Sequence, residues 1–146
     1  MSDCIFCKIA AGEIPSSTIY EDEDFRVILD LGPATKGHAL ILPKKHFRNI
    51  FEMDDETAAK VFVLAKKLAC AMKETLHCDG LNVVQNNEEI AGQTVFHFHM
   101  HIIPRYENDG YYTASDRSHG KLPAACRKIQ KKTYPFNTKY AETYFM

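Results

Sequence analysis

Val95-Phe96-His97-Phe98-His99-Met100-His101-Ile102-Ile103 alternates apolar residues with histidines through His101. That two-residue period belongs to a β-strand, whose side chains point to opposite faces in turn. Phe96, Phe98, Met100 and Ile102 then share one face, suited to a core. His97, His99 and His101 share the other. The pattern predicts a strand over 95–103, ended by Pro104.

Three of the seven histidines of the chain lie in that row. A solvated face that happens to be His-rich is the plain alternative, but strict alternation on a hydrophobic strand argues against chance. One metal ion held by all three is excluded by length. Residues four apart on a strand are separated by about 13 Å, whereas a zinc–nitrogen bond is about 2 Å. An adjacent pair could share a metal. Catalysis is the third reading, because imidazole is both a nucleophile and a proton carrier near neutral pH.

Working outward, Thr18-Ile19-Tyr20 and Phe25 to Leu29 read as a hairpin about the charged turn Glu21-Asp22-Glu23-Asp24. Gly32, Pro33 and Gly37 mark a loop, and His38 to Leu42 is an apolar strand stopped by Pro43. Asp54 or Asp55 caps a helix running to about His77. Its predicted stripe is Ala58, Val61, Phe62, Ala65, Leu68, Ala69, Met72 and Leu76, with Lys60, Lys66, Lys67 and Lys73 off it. Leu81 to Gln85 is a further strand, followed by the turn Asn86-Asn87-Glu88-Glu89 and Gly92. Residues 2–9 read as one helical turn. Leu122, Ala125, Cys126 and Ile129 give a short C-terminal helical stripe, with Pro123 suited to its first turn. Strands gathered around one long helix predict an α+β fold with a mostly antiparallel sheet.

The chain has 146 residues, 45% hydrophobic and 25% charged, which suits one globular domain and excludes wholesale disorder, collagen and coiled coil. No apolar run is long enough to span a membrane, and no secretory signal is visible. The net charge of −1 gives no general push towards nucleic acid or anionic membrane. It is unevenly spread: residues 111–146 hold seven basic and two acidic residues, and six of the seven tyrosines lie from Tyr106 onward. The expected organisation is a domain over 1–110 and a basic, Tyr-rich extension over 111–146. The lysines of the extension read as the solvated face of a helix rather than a nucleic-acid surface. Five cysteines without a signal peptide fit a reducing cytoplasm rather than a disulfide framework. Cys4 and Cys7 have the spacing of a metal or redox pair, while Cys70, Cys78 and Cys126 read as small buried hydrophobes.

The row His97-x-His99-x-His101 followed by Ile102-Ile103 resembles the histidine triad of the HIT superfamily of nucleotidyl hydrolases and transferases. The opening Cys4-Ile5-Phe6-Cys7-Lys8-Ile9 is similar to its Hint-like, bacterial-type branch. So are Glu13-Ile14-Pro15, Tyr20-Glu21-Asp22, Leu29-Asp30 through Pro33, Gly37-His38, Pro43-Lys44-Lys45-His46, Asn86 and Gly92-Gln93-Thr94, in order over residues 4–106. The galactose-1-phosphate uridylyltransferase branch has Gln at the third triad position, so His101 points to the hydrolase side.

The resemblance implies a HIT-like fold: a five-stranded, mainly antiparallel sheet with one long helix and a C-terminal helix, in a homodimer. It implies attack on the α-phosphate of a purine nucleotide, either a nucleoside phosphoramidate or a dinucleoside polyphosphate. The middle histidine, His99, would form a nucleotidyl-histidine that water hydrolyses, with His101 and His38 beside the phosphate. Asp30 matches the ribose-binding position, although it could equally serve the Gly32-Pro33 turn. Asn86 and Thr94 match phosphate-side contacts, Gln93 sits near the leaving group, and Phe6, Ile9, Ile14, Ile28 and Leu31 match the purine walls. Some relatives with this opening hold a structural zinc at the positions of Cys4, Cys7, His46 and His97. All four ligands stand here, and the other reading is two reduced thiols with His46 at a helix start and His97 hydrogen-bonded. No organic cofactor is implied. The alternative function is a nucleotide-binding regulatory or scaffold protein with little turnover. The tail after Tyr106 departs from the short mammalian ending. It is expected to pack on its own domain or across a dimer, where it would bear on the leaving-group side.

Overall fold

A computed structural model describes residues 3–110. The extension over 111–146, with its expected C-terminal helix, lies outside the described residues. The elements are α1 (Ile5–Ala10), β1 (Thr18–Glu21), β2 (Phe25–Leu29), β3 (Ala39–Pro43), α2 (Asp55–Leu76), β4 (Gly80–Gln85) and β5 (Met100–Arg105), with a single 3-10 turn at Glu89–Ala91. The five strands form one antiparallel sheet in the order β1-β2-β3-β5-β4. This is the α+β, five-stranded architecture expected.

Helix α2 starts where Asp54 accepts a 2.8 Å bond from the Thr57 N–H, and Asp55 and Glu56 meet the positive end of its dipole. It ends at His77, which adopts the left-handed conformation (φ 52°). Lys73 reaches past that end to the carbonyls of Cys78 and Asp79. The face that packs on the sheet is Val61, Leu64, Ala65, Leu68 and Met72. Phe62, placed in the stripe by the sequence pattern, is 62% exposed instead, and Leu64 takes its place. Residues two apart on a helix are separated by about 200°, so the two flank opposite edges of the stripe, and the sheet selects the side.

The sheet separates two apolar clusters. Phe25, Val27, Ala39, Ile41, Phe98, Met100 and Ile102 meet α2 on one face. Ile28, Leu40 and Leu42 turn to the other face, where Ile9, Phe6 and Ile14 cover them. Alternation along each strand produces the division.

The predicted strand over 95–103 is shifted in the structure. Regular pairing begins only at Met100 and continues through Pro104 to Arg105. Before Met100, the chain is held by the Phe98 N–H donating to the Phe47 carbonyl (2.7 Å). Pro104 does not end the strand. Its carbonyl takes the Thr35 hydroxyl, on the side where β3 has already stopped at Ala39, opposite Ile102. The missing proline N–H therefore breaks no rung of the ladder.

Candidate active site and metal centre

Three segments build the site on the α1 face of the sheet. His101 lies in β5, directly opposite Leu40 of β3. His97 and His99 precede it on the non-ladder approach, and His38 ends the loop that enters β3. Gly37 lets that loop close. Its φ is +85°, and a Cβ there would come within 2.5 Å of Leu76 Cδ1. The imidazoles follow one another closely, His99 edge-on to His101 with centroids 5.1 Å apart and His38 tilted against His101 at 5.2 Å. Phe6 of α1 sits edge-on to His99 at 5.1 Å.

Backbone partners settle which ring nitrogens carry protons, since a carbonyl only accepts and an N–H only donates. His99 Nδ1 lies 2.7 Å from the His97 carbonyl, so Nδ1 carries the hydrogen and Nε2 keeps its lone pair. His38 Nδ1 accepts from the Ala34 N–H at 3.0 Å, which leaves the hydrogen of the neutral ring on Nε2. That Nε2–H donates to His101 Nδ1 at 2.9 Å. The remaining hydrogen of His101 is then on Nε2. Burial favours the neutral rings throughout. Desolvation lowers His38 and His99, and it holds His101 at about 4, with His38 and His99 adding repulsion.

Asp30 does two things. Oδ1 accepts from the Gly32 N–H at 2.8 Å, forming the turn, while Oδ2 stands 3.6 Å from His38 Nε2. Phe6, Ile9, Ile14 and Ile28 come together in one apolar patch with Leu40 and Leu42. Leu31 stands apart, 90% exposed. Asn86 follows β4 and is half-buried against Gly92. Thr94 is exposed. Gln93 is 2% exposed, and its amide is engaged within the loop. Its oxygen accepts from the Glu88 N–H, and its nitrogen donates to the carbonyls of Arg48 and Val95. Here it shapes the segment leading to the histidines.

Cys4, Cys7, His46 and His97 converge beside this row. His97 is fully buried, and its Nε2 donates to the Pro43 carbonyl at 2.9 Å, leaving the Nδ1 lone pair free. That atom lies 3.6 Å from Cys4 Sγ, 3.4 Å from Cys7 Sγ and 3.2 Å from His46 Nδ1. His46 Nδ1 is 3.2 Å from Cys7 Sγ. Tetrahedral zinc places nitrogen and sulfur ligands roughly 3.3–3.8 Å apart, so the donor set fits. Burial, together with Cys4, pushes the Cys7 thiol up to about 11, and a cation held among these ligands would favour its thiolate.

Asp30, His38 and His101 form a second close group of potential ligands. Here the tautomers argue the other way. His38 Nε2, the atom that would bind metal, already carries the proton that the Ala34 N–H forces upon it. The two groups are thus chemically distinct: one offers lone pairs inward, the other a hydrogen-bond chain.

Leu40, Ala34 and Thr35 were not singled out from the sequence, and Leu42 and Pro43 were named there only as a strand end and part of a motif, without these roles. The two leucines had a signal, since alternation from the apolar run 38–42 puts them on the His101 face. Ala34 and Pro43 act through backbone atoms, which every residue type carries, so no signal existed.

Comparison with known proteins follows the same residues. The HIT domain family profile matches residues 11–108. The chain is 51% identical over 110 residues to "Protein hit" of Bacillus subtilis, covering 75% of this chain and 76% of that protein. It is 40% identical over 108 residues to "Adenylylsulfatase HINT3" of Arabidopsis thaliana, covering 74% of this chain and 55% of that one. A crystal structure described as a Zn-bound histidine triad family protein from Mycobacterium smegmatis superposes with a TM-score of 0.73. Its identity is 38%, over 88% of this chain and 96% of that one.

Proposed function

This chain belongs to the HIT family, and we propose that it is a nucleotide hydrolase attacking the α-phosphorus of a purine nucleotide. The observation that carries the reading is the oriented lone pair of His99. Nδ1–H is held by the His97 carbonyl, so Nε2 is the nucleophile. A bond forms from Nε2 to phosphorus, and the bond from phosphorus to the leaving amine, phosphate or acyl oxygen breaks. His101 Nε2–H supplies the proton to the leaving atom. Water then attacks the phosphorus, gives its proton back to His101 and displaces His99 as the nucleoside monophosphate leaves. Asp30 Oδ2 receives ribose hydroxyls, and the Phe6, Ile9, Ile14 and Ile28 patch receives the base. Leu31, exposed and outside the patch, is read as a further wall that would close on the base, while Asn86 and Thr94 meet the phosphate.

Cys4, Cys7, His46 and His97 would hold zinc, with a structural role: the ion supplies charge for two thiolates and ties α1 to the triad segment. The relative crystallised with zinc and the donor geometry support this reading. Reduced thiols suit a cytoplasmic setting. We also read the outer edge of β4, with Phe62, Ile50 and Val83 exposed in one groove beside it, as the surface on which a second copy packs.

His99→Asn tests the reading. Wild type, mixed with adenosine phosphoramidate or a diadenosine polyphosphate, is expected to show an acid-labile adenylyl adduct by intact mass spectrometry and to release AMP. The variant should keep its fold and do neither, a loss of at least about a thousandfold. Binding without adduct or product from wild type would replace this reading by the nucleotide-binding regulatory one.

A further inference from the structure

The loop from Leu31 to Gly37 hydrogen-bonds to His38 through backbone atoms, and it is fastened at several points. The Thr35 side chain is 4% exposed, and its hydroxyl donates to the Pro104 carbonyl of β5. The Thr35 carbonyl accepts from the His38 N–H at 3.2 Å. The Tyr106 hydroxyl donates to the Lys36 carbonyl at 2.8 Å. Gly37 is seated against Leu76 and Pro104. All these anchors flank one atom with chemical consequence, the Ala34 N–H that donates to His38 Nδ1.

We propose that Thr35 and Tyr106 are positioning residues, which clamp this loop to β5 so that the Ala34 N–H fixes the direction of the His38–His101 hydrogen-bond chain. With the N–H in place, His38 can only donate from Nε2, and His101 must present its hydrogen outward on Nε2. If the loop drifts, His38 can take its hydrogen on Nδ1 instead. Nε2 then accepts from His101 Nδ1–H, and His101 turns a bare lone pair towards the leaving group. The chain keeps the same number of hydrogens but points the wrong way for donation. The catalytic consequence rests on the hydrolase reading above. The hydrogen positions do not.

The test is ring-nitrogen NMR of the full chain carrying ¹⁵N-histidine, at neutral pH, on wild type, Thr35→Val, Tyr106→Phe and Thr35→Ser. Wild type is expected to show His38 Nδ1 unprotonated and Nε2 protonated. Thr35→Val and, more weakly, Tyr106→Phe should average the two signals, and Thr35→Ser should restore the wild-type pattern. Removing the Tyr106 hydroxyl leaves the ring in place, so that variant stands in if Thr35→Val does not fold. In parallel, kcat should fall by about tenfold in Thr35→Val with KM nearly unchanged. A wild-type His38 protonated on Nδ1 overturns the proposal. So does an unaltered His38 pattern in the folded variants, whatever happens to kcat. If the signals shift as expected but wild type itself turns over nothing, the clamp stands and the hydrolase reading falls.

Discussion

Burial lowers the affinity of His101 for a proton to a pKa of about 4, against 6.5 for the free side chain, and His38 and His99 add repulsion. The consequence for stability has a definite sign. Between those two values the unfolded chain binds more protons than the folded one, so stability rises with pH across the window. It is fully present above about 6.5, declines as acid is added down to about 4, and levels off below. The His101→Asn variant should lose this contribution. Urea unfolding followed from about pH 7 to about pH 4.5 should give a shallower slope for the variant than for wild type. An equal slope would mean that His101 titrates in the fold as it does in water. His38 and His99 are lowered by the same burial, so the variant retains a slope of the same sign.

At the level of elements, α1 is a six-residue helix that could not persist alone. Apolar packing of Phe6 and Ile9 holds its inner side. The thiols at Cys4 and Cys7 hold its start, if zinc joins them to His46 and His97. Cys7→Ser should therefore abolish zinc in a metal assay of the purified chain and lower the melting temperature. A site filled at a thousand times its dissociation constant contributes about 4 kcal/mol. Full metal content in Cys7→Ser would rule out this ligand set. The opening helix shows how unevenly the sequence reveals itself. The Cys4-x-x-Cys7 spacing and the His97-x-His99-x-His101 alternation were readable because side-chain identity carries them. The start of β5 at Met100 was not, because the break depends on the Phe98 N–H finding the Phe47 carbonyl rather than β3. Phe62 was misplaced because helical periodicity gives a stripe but not which of its edges the sheet covers. The proton arrangement of His38 was invisible, since a backbone N–H at Ala34 determines it.

For the molecule as a whole, the sheet divides labour between its faces: α2 closes one, and α1 with the histidine row occupies the other. Among the described residues, one group of exposed apolar side chains gathers beside the outer strand, where Ile50, Phe62 and Val83 line a common groove and are each at least 42% exposed. Phe62→Glu tests whether a second copy covers it. The substitution alters no buried contact of a single chain, so its effect on folding should stay within about 0.5 kcal/mol. Sedimentation should show wild type as a dimer and the variant as a monomer at micromolar concentration. A wild-type monomer would leave that face to another partner.

Phe98, Met100 and Ile102 interleave with His99 and His101, so core and chemistry share one stretch of chain. Losing a single codon there would do more than remove a residue. Every later position in the stretch would change sides, putting imidazoles under α2 and benzyl and thioether groups on the face that the histidine row now occupies. The stretch can therefore absorb a change of side chain but not a change of length.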